Sequence, residues 1–229
     1  MQDSPTDFFA GNAATGYDAR NARLAPISDA LHFLTGLVLE DLPEDARLLS
    51  VGTGTGAEVL ALARAHPGWR FTCVDPSADM LAVCADRLAQ AGLSDRCTLV
   101  HGDVHALPDG APHDAALAML VAHFIAEGDR PAFYAAIRAQ LSPGAPFVSA
   151  EISHDLDAPS FAPTLGTWKK VQTLMGATPE SLDRLSVLLR ETLAVLSPAR
   201  TDTLLAEAGF TAPTTFYQAV MIRALHARA

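Results

Sequence analysis

Basic residues are scarce in this 229-residue chain, where 16 Lys and Arg stand against 26 Asp and Glu for a formal net charge of -10. Its only lysines, Lys169 and Lys170, form the densest basic spot. Such a charge balance repels phosphate backbones and anionic lipid surfaces, so neither nucleic acid nor a membrane is expected as a partner. Cysteine is sparse too. Cys73, Cys84 and Cys97 are odd in number and widely spaced, which fits neither a disulfide framework nor a CxxC metal pair. They read as reduced packing residues. No His, Cys and carboxylate set has metal-ligand spacing, so no metal is expected. No apolar run approaches the roughly 20 residues that span a bilayer, and the N-terminal stretch, with Asp3 and Asp7, lacks a basic-then-apolar leader. A cytoplasmic protein is the expectation.

What the chain does have is a hydrophobic share of 49%, spread throughout, enough to bury one sizeable core in one domain over 1–229. Leu24, Ile27, Leu31, Leu34 and Val38 recur at helical spacing, which predicts an N-terminal helix within 1–45. Over 46–152 short apolar strands alternate with helices: strands at Arg47 to Val51, Trp69 to Val74, Cys97 to His101, Asp114 to Leu120 and Pro146 to Ile152. That alternation predicts a doubly wound α/β fold, a parallel sheet covered by helices on both faces. The rhythm breaks over 153–198, where Pro159, Pro163 and Pro179 separate helix-like stretches, as in an inserted helical cap. Over 199–229 a helix from Thr201 to Ala208 ends at Gly209 and precedes two β-prone runs, Thr214 to Ala219 and Met221 to Ala227.

The segment richest in chemistry is Val51-Gly52-Thr53-Gly54-Thr55-Gly56-Ala57, three glycines between a predicted strand and a helix. Lacking Cβ, glycine takes positive φ and lets ligand atoms sit against the backbone. The next helix N-terminus offers unpaired N–H groups. On its own the motif leaves S-adenosylmethionine (SAM), a dinucleotide and a purely structural turn open, since Gly52-x-Gly54-x-x-Ala57 also satisfies the dinucleotide fingerprint. Asp75, ending the second strand, is placed to accept from two ribose hydroxyls. Capping the following helix is the alternative role.

Taken in order, Leu49 to Gly56, Val74-Asp75-Pro76-Ser77-Ala78-Asp79-Met80-Leu81 and Gly102-Asp103-Val104 resemble three motifs of the class I SAM-dependent methyltransferases. The resemblance runs from about Tyr17 to the C-terminus. It implies a Rossmann-like, mostly parallel seven-stranded sheet closed by an antiparallel C-terminal hairpin, with SAM as methyl donor and S-adenosylhomocysteine (SAH) as product. It also implies that Gly52, Thr53, Gly54 and Gly56 approach the amino-acid end, Asp75 with Pro76 the ribose, and Met80, Gly102, Asp103 and Val104 the adenine. Leu120, at the end of the fourth strand, is a further cofactor-binding candidate. At Ser50 the chain departs from the pattern, which more usually has an acid that helps fix the ligand's ammonium. The Leu204 to Phe210 helix and the hairpin resemble the ubiquinone-methyltransferase and carboxy-SAM-synthase-like branch. Carboxy-SAM synthesis calls for an arginine where this chain has Leu204.

SAM already carries an electrophilic methyl, so positioning an acceptor in line is the main task, with a base useful for a hydroxyl or protonated amine. His123, just after the fourth strand, is the candidate base, with a core or capping histidine as the plainer reading; His154 is a weaker candidate. Tyr17 and Arg20 resemble the lid segment that covers the cofactor in several small-molecule methyltransferases. Phe8, Phe9, Phe124, Phe161, Trp168 and Met175 come from three segments that could converge over the methyl, which favours a small, partly apolar acceptor. The apolar cap suits a lid or a homodimer face equally. A non-catalytic SAM-binding module and a nicotinamide-dependent oxidoreductase are the other readings. The latter lacks a Tyr-x-x-x-Lys pair.

Overall fold

The computed structural model describes residues 16, 19, 21–107 and 110–229. Five parallel strands, β1 (Arg47–Val51), β2 (Arg70–Asp75), β3 (Cys97–His101), β4 (Ala115–Met119) and β5 (Pro146–Ile152), join β6 (Thr211–Ala219) and β7 (Ile222–Arg228) in one sheet of order β3-β2-β1-β4-β5-β7-β6. Only β7 runs against its neighbours. The seven-stranded, mostly parallel Rossmann-like sheet and its antiparallel closing hairpin are therefore present as expected. Among the described residues no helix is long and apolar enough to cross a membrane.

Alternate side chains of each strand feed two layers. Leu49, Val51, Ala116, Ala118 and Phe147 pack with α4 (Arg130–Ala139) and α8 (Pro198–Glu207) through Ile137, Leu204 and Leu205. Leu48, Phe71, Cys73, Leu117 and Val148 pack on the other face with α2 (Ala57–Ala65) and α3 (Ala78–Gln90) through Val59, Leu62, Cys84 and Leu88. Near-continuous apolar runs such as Leu48 to Val51 are what a strand buried on both faces requires. Cys73 and Cys84 are buried free thiols and Cys97 is half-buried, in keeping with packing roles. Leu204 is 1% exposed inside the first layer, so it faces no ligand.

The N-terminal helix α1 (Ala25–Val38) is tied to β6 by the Tyr217 hydroxyl, which donates to Ile27 O at 3.0 Å. The cap comprises α5 (Phe161–Leu174), α6 (Pro179–Asp183), the single turn α7 (Leu185–Val187) and a π turn, Leu188–Thr192. Phe161, Trp168, Val171, Leu185 and Leu189 form its core against Leu24, Met221 and Ile222.

One polar atom in the first layer is stranded. Among the described residues the Tyr134 hydroxyl is buried without a hydrogen bond of good geometry, and burial first, then Glu151, pushes its pKa up against the pull of the neighbouring Arg130. Tyr134→Phe removes an unpaid desolvation cost, so it is expected to leave stability unchanged or raise it by about 1 kcal/mol. Urea denaturation checks this, and a loss above that size would show that the hydroxyl has a partner.

Candidate cofactor site

The C-terminal ends of β1, β2, β3 and β4 open onto a hollow of about 540 Å³. It lies beside β1, where the strand order reverses between β2 and β4, the place where open α/β sheets bind ligands. The four loops that follow these strands and the start of α4 build its walls.

The first loop is glycine-dependent at each turn. Gly52, Gly54 and Gly56 have φ of 65°, 53° and 75°. A Cβ on Gly52 would sit 2.5 Å from Val121 Cγ2, and on Gly56 it would sit 2.6 Å from Cys84 Sγ. The amides of Gly52 and Thr53 donate to Val74 O, and Arg87 of α3 donates to Thr55 O and Oγ1 at 2.9 and 2.8 Å. The loop is thus held from β2 and α3, with its Gly52 and Gly54 backbone forming wall.

Asp75 is 7% exposed at the end of β2. Its Oδ2 accepts from the Gly54 amide at 2.7 Å and its Oδ1 from the Ser77 amide at 2.8 Å. Each oxygen keeps a further acceptor site, the number a ribose diol needs. Burial pushes its pKa up, against the pull of those amides and of His101. The capping role belongs instead to Ser77, whose hydroxyl accepts from the Met80 amide at 3.3 Å. After β3, Asp103 accepts from the His105 amide at 2.9 Å and opens the short turn Val104–Ala106. Met80 and Val104, 4% and 3% exposed, add apolar surface.

After β4 the chain turns at Leu120, whose φ of 59° is unusual for a residue with a branched side chain. Its amide donates to Ala150 O at 2.7 Å. Leu120, Val121, Phe124 and Ile125, with Ala132 and Phe133 of α4, make the remaining wall almost wholly apolar.

Gly52, Gly54, Asp75, Pro76, Met80, Gly102, Asp103, Val104 and Leu120 are therefore brought together around one hollow. Three expected residues are not on its wall. Thr53 turns its hydroxyl inward, 3.4 Å from Glu58 Oε1. Gly56 packs on Cys84 as the left-handed cap of α2. His123 is 3% exposed and faces β5, where Nδ1 accepts from the Ile152 amide at 3.3 Å. Burial and then Arg130 push its pKa down to about 3, so it is neutral and sequestered, the packing histidine of the plainer reading. Tyr17, Arg20, Phe8 and Phe9 lie outside the described residues. Phe161, Trp168 and Met175 belong to the cap core, and His154 lines a separate polar hollow with Arg190 and Arg200. Phe133 and Ile125 were missed. Helical spacing marks Phe133 as apolar but does not say that it meets a ligand space. Among the described residues no group of His, Cys, Asp and Glu is placed to hold a metal.

Residues 48–144 match the methyltransferase domain family. A 3-hydroxy-5-methyl-1-naphthoate 3-O-methyltransferase of Streptomyces sahachiroi is 35% identical over 83 residues, 36% of this chain and 24% of that one. A release factor glutamine methyltransferase of Gloeobacter violaceus is 38% identical over 72 residues, 31% of this chain and 25% of that one. The chain thus spans about a quarter of the length of these curated relatives. Among solved structures, that of PigF with SAH superposes with a TM-score of 0.69 at 17% identity, covering 100% of this chain and 63% of that one. This likeness shows the fold.

Proposed function

We propose that this chain, with its methyltransferase domain over residues 48–144 and the fold of class I SAM-dependent methyltransferases, transfers a methyl group from SAM to a small-molecule acceptor. The observation that carries the reading is Asp75: a buried carboxylate, held by amides of the glycine loop and of the α3 entry, with acceptor capacity directed at the hollow. When bound, SAM would supply an electrophilic methyl carbon: the acceptor's nucleophile would bond to it in line with the C–S bond, whose electron pair would stay on sulfur as SAH leaves. Gly52 and Gly54 admit the amino-acid end, Asp75 takes the ribose hydroxyls, and Asp103 with Val104 meets the adenine. Leu120, Val121 and Phe124 exclude water beside the reacting centre.

An apolar wall supports an apolar or aromatic acceptor, and the naphthoate O-methyltransferase relative supports a hydroxyl nucleophile. Since His123 stays neutral and buried, positioning rather than a histidine base is the proposed source of rate. Its expected signature is a rate profile without an acid limb near the ordinary histidine pKa that depends on His123. A limb that disappears in His123→Gln would return the residue to a catalytic role. The direct test is SAH formation from SAM, followed by mass spectrometry, with phenols and hydroxynaphthoates as acceptors. Acceptor-dependent SAH is expected; tight SAM binding without turnover across the panel would favour the non-catalytic module.

A further inference from the structure

Glu58 is a buried carboxyl that this mechanism does not use. It lies in the first turn of α2, 6% exposed, directly behind the glycine loop. Its Oε1 accepts from the Ser50 hydroxyl at 2.7 Å, with Thr53 Oγ1 at 3.4 Å. Among the described residues its ionisable neighbours are Asp75 and Cys73 from β2 and Cys84 from α3, none of them a cation. No lysine or arginine there forms an ion pair with it. Burial pushes its carboxyl up, against the pull of Ser50, its own amide and Thr53. A buried carboxylate without a countercharge is costly, and the cost is offset when a cation arrives.

The free enzyme leaves few alternatives for receiving that cation. On the wall, Asp75 serves the end of β2, Asp103 the end of β3, and Asp129 the entry to α4. The end of β1, where the amino-acid moiety would lie, has Ser50 and no carboxylate on its own strand. Behind that strand end stands Glu58, eight residues on, joined to it by the Ser50 hydroxyl.

We propose that Glu58 is the positioning residue for the ammonium of the bound amino-acid end, its carboxylate acting across the Gly52–Gly54 loop through the hydroxyl of Ser50. The carboxylate is displaced from the strand to the first turn of the following helix, and Ser50 is its relay. This rests on the SAM reading above, and it assigns a role to a residue off the cavity wall.

The test compares SAH with methylthioadenosine, which keeps the adenine and ribose but lacks the ammonium, by calorimetric titration of the intact protein and of Glu58→Gln. The wild type is expected to prefer SAH. In Glu58→Gln, SAH should weaken by roughly tenfold or more, as for loss of a charged hydrogen-bond partner, while methylthioadenosine holds its affinity. Equal weakening of both ligands, or of neither, would overturn the proposal. Should Glu58→Gln not fold, the wild type alone decides. Glu58 is ionised only above its raised pKa, and an α-amino group stays protonated below roughly pH 7. SAH affinity should therefore fall as pH is lowered through the Glu58 pKa. Asp75 titrates alike for both ligands because both carry the ribose, and Cys73 and Cys84, both pushed up, with Cys84 at about 12, stay as thiols. A steeper fall for SAH than for methylthioadenosine supports Glu58; parallel curves overturn it. Failure of the wild type to bind either nucleoside is a different result, because it removes the cofactor reading itself.

Discussion

Arg130→Ala is expected to cost about 3–5 kcal/mol of stability, the penalty for leaving a buried charge unpaired. Arg130 is fully buried, and its Nη1 donates to Glu151 Oε2 at 2.7 Å, with Glu151 1% exposed. Its other donors reach the carbonyls of Ile125 and Ala194, and Thr201 closes the network by donating to Glu151 Oε1 at 2.5 Å. Those partners come from the β4–α4 loop, β5, the end of the cap and α8. Removing the guanidinium would strip three of these segments at once of their common donor and leave Glu151 buried without its partner. Replacing both charges together, as in Arg130→Met with Glu151→Leu, should cost much less, because no uncompensated ion remains. Thermal and urea denaturation of the single and double variants read the difference. A single variant within about 1 kcal/mol of wild type would mean that water reaches Glu151.

The second large effect is on the ligand. Asp75→Ala should weaken SAM and SAH binding by about a hundredfold, since it removes two acceptor sites for the ribose. It also frees the Gly54 and Ser77 amides that fix the loop and the α3 entry. Gly52→Ala should reach a similar loss by a different route. A Cβ there meets Val121 Cγ2 at 2.5 Å on a residue with φ of 65°, so the loop must shift where the ligand approaches. The same titrations on these two variants, with folding checked by circular dichroism, measure both. Unchanged affinity in both would separate this hollow from the cofactor.

Much of this arrangement was legible from apolar periodicity. β1, β3 and β5 begin and end where the residue pattern places them, because strands buried on both faces carry uninterrupted apolar runs. The edge strand β6 was harder to read. It starts at Thr211, three residues before the expected Thr214, with Pro213 accommodated on an edge strand beside a bulge. Helix α8 likewise starts at Pro198 rather than Thr201. Pro198 takes the first helical position after the Ser197 cap, where its missing N–H and fixed φ suit a helix start. In the site, Asp75 and the glycines were visible because each answers a local need for an acceptor or for positive φ. The direction of His123 was not. Its place in the sequence follows β4, but the turn at Leu120 and the hydrogen bond from the Ile152 amide are tertiary facts that hold the ring toward β5, away from the hollow. Glu58 was hidden for the same reason, since a first-turn acid ordinarily reads as a partner of the helix dipole.

The measurement that bears most directly on the whole account is calorimetric titration of the purified protein with SAM, SAH and NAD(H), repeated on Asp75→Ala and Asp103→Ala. The account predicts micromolar binding of SAM and SAH, weaker in both variants, and none of NAD(H). Binding of NAD(H) in place of SAM, or SAM binding indifferent to both substitutions, would contradict it.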